Sequence, residues 1–254
     1  MSLLEFSNVT LKFGGLTAVN DLSFEIEEGE VFAIVGPNGA GKSTVFNLIS
    51  RFYNPLSGSI RYDGHDLLKV KPSGVAAHGV ARTFQNIELF EHSTVLQNLL
   101  VGRHRHRKTG LLQEALFTRA ACRQEIKCRQ EVEEIMDFLD LQAYRDKMIS
   151  GLPYGVRKVV EVARALAISP RLLMLDEPAS GLSVEETADM RWWIEDIRRQ
   201  MGITVLMVEH DMGLVSNVSD RVLAMADGAR LALGTPSEVQ AHPAVVAAYL
   251  GRAS

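Results

Sequence analysis

A run of five apolar residues, Val31 to Val35, ends in the glycine-rich turn GPNGAGKS, and an amphipathic stretch follows from Lys42. The turn fits the pattern G-x-x-x-x-G-K-[ST] through Gly36, Gly41, Lys42 and Ser43, which describes a phosphate-binding loop between a strand and a helix. The residue types follow from what such a loop must do. Gly36, Gly39 and Gly41 permit backbone conformations that a Cβ forbids and let the chain come close to a ligand. The loop N–H groups then face an anion, and the following helix adds its positive N-terminal end. Lys42 can reach the β- and γ-phosphates of a nucleotide, and the Ser43 hydroxyl can ligate Mg²⁺. A loop of this kind needs a strand before it and a helix after it, so it points the whole chain towards an α/β fold.

The 254 residues suffice for one large domain or a core carrying an inserted lobe. With 46% hydrophobic and 23% charged residues, the composition is that of a globular protein. A formal net charge of −4 gives no global attraction to nucleic acid or anionic lipid. No segment reaches the roughly 18 uninterrupted apolar residues of a membrane span. The N-terminal MSLLEFSNVT lacks the basic and apolar regions of a secretory signal. Cys122 and Cys128 suit neither a C-x-x-C redox motif nor a zinc site, and are expected as free thiols in a reducing cytoplasm.

Taken in order, the chain begins with two alternating apolar and polar runs, Leu3–Phe13 and Leu22–Ile26, read as an antiparallel β region. Phe13 is either a core residue or an exposed ring able to stack on a purine. After the loop, Lys42–Ser50 reads as a helix, Ser59–Tyr62 as a short strand, and Val80–Thr83 as another, leading to Gln85. From Glu88 to Gly151 the β pattern fades, and 94–101 and 113–139 carry helical periodicity. The α/β rhythm then returns. Val159–Ile168 reads as helix, Arg171–Leu175 as buried strand, 184–201 as helix and Ile203–Val208 as buried strand. Residues 211–217 read as helix, 220–234 as a hairpin turned at Asp227-Gly228, and Pro236–Gln240 and Pro243–Leu250 as short helices. Such alternation implies a mainly parallel sheet, whose ligands bind beyond the carboxyl ends of its strands.

The polar strand ends therefore converge on one place. Asp176, at the tip of LLMLDEP, is placed to hold Mg²⁺ directly or through water. Glu177 beside it can polarise an attacking water as a general base. His210 closes the neighbouring strand VLMVEHD, within reach of a γ-phosphate and that water. The stretch GLPYGVRKVVEVARALA supplies a second glycine-containing turn opening a helix, a second anion site. Two such sites on one chain suggest nucleotide held between two copies.

In order, GPNGAGKS, TFQN, LPYGVRK with EVARALA, LLMLDEP, SGLS and VEHD resemble an ABC-type ATPase subunit over nearly the whole chain. FGGLTAVNDLSF, RTFQNIELFEHSTVLQNLLVGRH and HPAVVAAYLG resemble, more narrowly, the ATP-binding subunit of branched-chain (hydrophobic) amino-acid importers and their amide or urea relatives. The resemblance implies a P-loop NTPase fold with a mainly parallel core, an antiparallel β subdomain and an inserted α-helical subdomain. The core is expected over 1–87 and 152–235, the helical insert over 88–151 and a C-terminal helical extension over 236–254. It implies ATP and Mg²⁺ as cofactors. Phe13 then stacks on adenine, and Gly36, Pro37, Asn38, Gly39, Ala40, Gly41, Lys42, Ser43 and Thr44 cradle the phosphates. Ser43 and Gln85 ligate Mg²⁺, with Asp176 in support. Glu177 is the catalytic base and His210 the switch histidine. Leu152, Pro153, Tyr154 and Gly155 are the signature turn that binds the γ-phosphate held by the other subunit, and Ser183 crosses the dimer interface.

The implied partners are a second ATPase subunit, the same chain or a paralogue, two integral membrane permease subunits met between Gln85 and about Leu99, and, indirectly, a periplasmic substrate-binding protein. The expected location is peripheral, on the cytoplasmic face of the inner membrane, with no nucleic-acid partner. Two positions depart from the family. The signature turn reads LPYGV where L-S-G-G-Q is usual, so Pro153 removes a hydroxyl contact, although proline suits a helix first turn. SGLS replaces SGLD, so an interface carboxylate is missing. The alternatives are an ATPase of lipopolysaccharide transport and a soluble switch acting on DNA or ribosomes; a small GTPase is disfavoured, since no N-K-x-D motif is present. The run Arg103 to Lys108 reads as a solvated loop or as a patch for acidic groups, and Trp192-Trp193 as packing residues.

Overall fold

A computed structural model describes residues 2–104 and 118–250. The central sheet has six strands in the order β10-β9-β3-β8-β7-β6. These are β3 (Val31–Val35), β6 (Val80–Arg82), β7 (Leu172–Asp176), β8 (Thr204–Val208), β9 (Arg221–Ala226) and β10 (Ala229–Gly234). All neighbours run parallel except β9 and β10. A second, antiparallel sheet has the order β2-β1-β4-β5, from β1 (Ser2–Phe13), β2 (Leu16–Glu27), β4 (Ser57–Tyr62) and β5 (His65–Asp66). The helices are α1 (Lys42–Ile49), α2 (Pro72–Val75), α3 (Val95–Arg103), α4 (Arg119–Phe138), α5 (Tyr154–Leu166), α6 (Val184–Met201), α7 (Met212–Val218), α8 (Pro236–Ala241) and α9 (Pro243–Leu250).

The continuous apolar runs of the central strands arise because both sheet faces are covered. Alternate residues go to different cores. Val31, Ala33 and Val35 of β3, with Leu173 and Leu175 of β7, join the core beneath α5 and α6. Phe32 and Ile34, with Leu172 and Met174, join the core shared with the antiparallel sheet and α1. Phe24 joins the two sheets: its ring stacks on Phe6 at 4.6 Å and on Phe32 at 5.6 Å. Burial of these rings is worth about 2 kcal/mol each.

The second N-terminal strand is longer than its Leu22–Ile26 pattern predicts. Gly14, at φ 57, lets the chain reverse so tightly that Phe13 pairs with Leu16, and pairing with β1 extends β2 through its polar half. The Asp227-Gly228 turn is where it is expected: Ala226 pairs with Ala229, and both turn residues have positive φ, as a type I′ turn requires.

Between β6 and α5 the regular elements of the described chain are all helical. α3 opens with a capping box between Thr94 and Gln97, and α4 buries Cys128, Val132, Ile135 and Met136. Arg103 departs from the reading of its basic run as a solvated loop. It is buried and donates to the Ala167 carbonyl at 3.0 Å and the Ser169 hydroxyl at 2.7 Å, and it pairs with Glu131. It ties α3 to the end of α5. Arg105 to Lys108 lie outside the described residues. Trp193 packs on the core, as expected of both tryptophans, but Trp192 is 59% exposed. No helix among the described residues is long and apolar enough to cross a membrane.

Candidate nucleotide site

The phosphate loop joins β3 to α1, and its glycines are required by geometry. Gly36, Gly39 and Gly41 sit at φ 153, 82 and 100. A Cβ on Gly36 would stand 2.2 Å from the Met225 carbonyl oxygen, and one on Gly41 2.5 Å from that of Ala18. Neighbouring backbone therefore excludes any larger residue at both positions. Gly41 is also the N-cap of α1 and offers no side-chain cap, so the first N–H groups of that helix remain for an anion. Lys42 is buried, and its Nζ donates to the carbonyls of Gly36 at 2.7 Å and Pro37 at 3.1 Å. Burial holds its pKa below the ordinary lysine value, opposed by the nearby Glu177 and Asp176.

The loop forms one wall of a cavity of about 610 Å³, which Phe13, Asn38 to Thr44, Gln85 and Glu177 line together. Phe13 is a surface ring rather than a core residue: it is 44% exposed and meets Tyr53 edge-on at 4.9 Å. Across the cavity the Gln85 amide donates to Glu177 Oε2 at 3.3 Å, and His210 Nδ1 lies 3.8 Å from Oε1. Glu177 itself has φ 51, and its N–H donates to the Val208 carbonyl at 2.9 Å. The strained turn projects this carboxylate from the tip of β7 beside β8.

Asp176 is nearly buried, and Arg82 Nη2 holds its Oδ2 at 2.8 Å. The same guanidinium donates to Asn47 Oδ1 at 2.7 Å, connecting the strand tip to α1. Four charged residues to which the sequence reading gives no contact at this cavity also support it: Arg82, Lys158, Glu161 and Glu209. Lys158 is buried and donates to the carbonyls of Glu177 at 3.3 Å and Gln85 at 3.5 Å. Glu161 accepts the Phe84 N–H at 3.0 Å, and burial pushes its pKa up. Glu209 accepts N–H groups from Ala179 and from His210, at 2.8 and 3.0 Å, and burial likewise raises its pKa. These charges sit under the cavity and fix the backbone on either side of Glu177. Their only sequence signal is a charged residue inside an apolar run, as in VVEVA and VLMVEH.

Leu152 to Gly155 are not in the lining of this cavity. Pro153 is the N-cap of α5, with no side-chain cap, and Leu152 and Gly155 are buried. The turn is braced from its own chain: the Tyr154 hydroxyl donates to the Ser180 carbonyl at 3.4 Å, and its ring covers Gly181. Ser183 caps α6 in a capping box with Glu186, so the serine that replaces the usual aspartate keeps a structural role.

Mg²⁺ accepts one or two protein oxygens and completes its shell with phosphate and water. Ser43 and Gln85 share the cavity and supply neutral oxygens of the right kind. Asp176, with one oxygen held by Arg82, suits support through water.

A family model described as ABC transporter matches residues 19–180, and one described as Branched-chain amino acid ATP-binding cassette transporter matches 229–254. The chain is 42% identical over 251 residues to the high-affinity branched-chain amino acid transport ATP-binding protein BraF of Pseudomonas aeruginosa, covering 99% of this chain and 98% of that protein. Its identity to LivG of Escherichia coli K12, described in the same words, is 39% with the same coverage. Its fold is similar to that of MJ1267 in its ADP conformation, an ATP-binding cassette of an ABC transporter, with a TM-score of 0.86, 30% identity and coverage of 99% and 100% of the two chains. A nucleotide-free ATP-binding cassette from an ABC transporter gives a TM-score of 0.85 at 29% identity, over 98% and 99%. On this identity, coverage and shared cassette fold, the chain belongs to the ABC transporter family.

Proposed function

We propose that the chain is the ATP-hydrolysing subunit of a branched-chain amino-acid importer, working as a dimer on the cytoplasmic face of the inner membrane. The observation that carries this reading is the separation of two anion-binding turns. The phosphate loop, Gln85 and Glu177 share one cavity, while Leu152 to Gly155 lie outside it at the start of α5. A turn held away from its own chain's cavity is available to the cavity of a second copy. The names of BraF and LivG support the cargo class.

In this reading Gly36 to Thr44 hold the phosphates, Lys42 leaves the loop carbonyls for the β- and γ-phosphates, and Phe13 stacks on adenine. Mg²⁺, held by Ser43 and Gln85, neutralises phosphate charge when bound. Glu177 accepts a proton from the attacking water. Gln85 and His210 flank its two carboxylate oxygens and so orient it. Pro153 offers no hydroxyl to the opposing γ-phosphate, which leaves the free N–H groups of α5 and the Gly155 backbone to close the site.

The membrane permease subunits dock on the segment from Gln85 to about Leu99, where Phe90 is 55% exposed. The lobe over 88–151 carries that segment, and a substrate-binding protein acts through the permeases. Glu177→Gln tests the assignment: turnover should fall almost to nothing while ATP drives the protein into a dimer on gel filtration. Unimpaired hydrolysis by that variant would remove Glu177 from the role of base.

A further inference from the structure

Lys158 lies on α5, one turn beyond the turn 152–155, and is only 2% exposed. Val159, Val160, Val162 and Ala163 beside it in sequence are buried and apolar. Burying an ammonium group is costly unless a contacting counter-charge or hydrogen bonds compensate. Among the described residues its hydrogen bonds go only to two main-chain carbonyls, those of Glu177 at 3.3 Å and Gln85 at 3.5 Å, and it enters no ion pair. Glu161, three residues on, attracts it from a distance but places its own oxygen on the Phe84 N–H at 3.0 Å. An apolar side chain would fill the same space at less cost. The lysine therefore points to what those two carbonyls do.

Both belong to residues that meet across the phosphate cavity. The Gln85 side-chain amide donates to Glu177 Oε2 at 3.3 Å. Lys158, Gln85 and Glu177 thus form a closed triangle, in which Nζ holds the main chain of the other two while their side chains touch. Glu177 is the harder one to hold. Its φ of 51 is unfavourable for a residue with a Cβ, and such a conformation persists only where the surroundings fix it. Its N–H donates to the Val208 carbonyl at 2.9 Å, and its carbonyl accepts the Ser180 N–H at 3.2 Å as well as Nζ. The Ser180 bond lies within the same turn and moves with it. Lys158 is what ties that carbonyl to another element. The loop of Gln85 is anchored on the same face of α5, by Lys158 and by the Glu161 bond to Phe84, because residues three apart on a helix are neighbours.

We propose that Lys158 is a positioning residue for hydrolysis: it keeps Glu177 in its strained conformation and sets the approach of Gln85, so that the carboxylate is aimed into the cavity. The inference rests on Glu177 as the base, the function proposed above, and adds what fixes its aim. It also makes that aim depend on α5, the helix that opens with the turn 152–155. Lys158 is not in the lining of the phosphate cavity, so turnover should depend on it and ATP binding should not.

Lys158→Met keeps a long apolar stem and removes the donors. In the whole chain, kcat for ATP should fall about tenfold, while KM and the directly measured ATP affinity stay within about twofold. Lys158→Arg keeps the charge and N–H donors and should retain at least about a third of the parent kcat; if the site only needed filling, the larger arginine would be the worse variant. Because Lys158 acts through Glu177, its loss should cost nothing further once that carboxylate is gone. Glu177→Gln alone and combined with Lys158→Met should therefore show the same residual rate in a single-turnover assay. Should Lys158→Met fail to fold, Lys158→Gln, polar but one atom too short to span both carbonyls, carries the same expectations. Parent kcat without the lysine, an ATP affinity that falls together with kcat, no rescue by arginine, or losses that multiply in the double variant would each overturn the proposal. Failure of the underlying function looks different: Glu177→Gln alone would then turn over unimpaired, whereas an inactive Glu177→Gln beside a fully active Lys158→Met removes only the positioning role.

Discussion

Gly155 lies so close to Glu186 that a Cβ there would stand 1.9 Å from the carboxylate Oε1. Glu186 is held in place because its Oε2 accepts the Ser183 N–H at 2.8 Å and its own N–H donates to Ser183 Oγ at 3.2 Å. The start of α5 and the start of α6 thus form one clasp. Gly155→Ala separates the contributions of this contact to folding and to turnover. Alanine favours a helix by up to about 1 kcal/mol over glycine, and the clashing atom ends a flexible side chain that can swing away, losing a capping box of comparable value. Stability should therefore change by less than about 1 kcal/mol. Displacing Glu186 nevertheless loosens the clasp that sets the turn 152–155, which the proposed function places against the opposing γ-phosphate, so ATP turnover should drop about tenfold or more. Thermal melts and phosphate release on the same sample check both halves.

The Arg82–Asp176 pair, 94 residues apart in sequence, joins β6 to β7, and through Asn47 joins both to α1. Both side chains are largely buried. Removing one partner of such a pair leaves a charge without compensation and costs about 3 kcal/mol. Arg82→Ala should lower the melting temperature by roughly 5–10 °C. Adding Asp176→Asn should restore part of that loss, because the stranded charge disappears. If the double variant melts no higher than Arg82→Ala, the pair is not the source of the effect.

Much of this architecture is legible in residue order. Val31–Val35 and Arg171–Leu175 read as buried strands because both sheet faces are covered, the second lying one residue further on at Leu172–Asp176, and GPNGAGKS and Asp227-Gly228 are turns whose backbone needs allow few other residues. Sheet order is less legible. The unbroken apolar run tells that both faces of β3 are buried, but nothing local says that β9 lies on one side and β8 on the other. The polar support was missed for the same reason. Arg82, Lys158 and Glu209 meet their partners only in the folded chain, and each looks alone like an interruption of an apolar run. Phe13 stood open between core and surface because an alternating strand does not reveal whether its end projects past the sheet.

That exposed ring carries its own prediction. Stacking of a base on an aromatic side chain is worth about 1–3 kcal/mol. Phe13 meets only the edge of Tyr53 and leaves a face for a purine. Phe13→Ala should raise KM for ATP about tenfold or more and leave kcat within about twofold. Phe13→Tyr, which keeps the ring, should behave as the parent. A fall in kcat with unchanged KM would place Phe13 outside nucleotide binding.

Glu161 gives a prediction in pH. Burial raises its pKa above the ordinary value of 4.5, opposed by the Phe84 N–H and by Lys158 and Arg164. A carboxyl with a raised folded-state pKa binds its proton more tightly in the folded chain than in the unfolded one. Its contribution to stability is then fully present below the unfolded-state pKa and is lost as pH rises through the folded-state value. Glu161→Gln keeps an oxygen for the Phe84 N–H and cannot ionise. The stability of the glutamine variant relative to the parent should therefore improve as pH climbs from about 4 towards neutrality, whatever its offset from the loss of attraction to Lys158. Urea denaturation of both proteins at a series of pH values measures that difference directly. A difference that narrows or reverses in the other direction would mean that the surrounding N–H and cationic groups outweigh burial, and that the folded protein holds Glu161 as a more acidic carboxylate than the unfolded chain does.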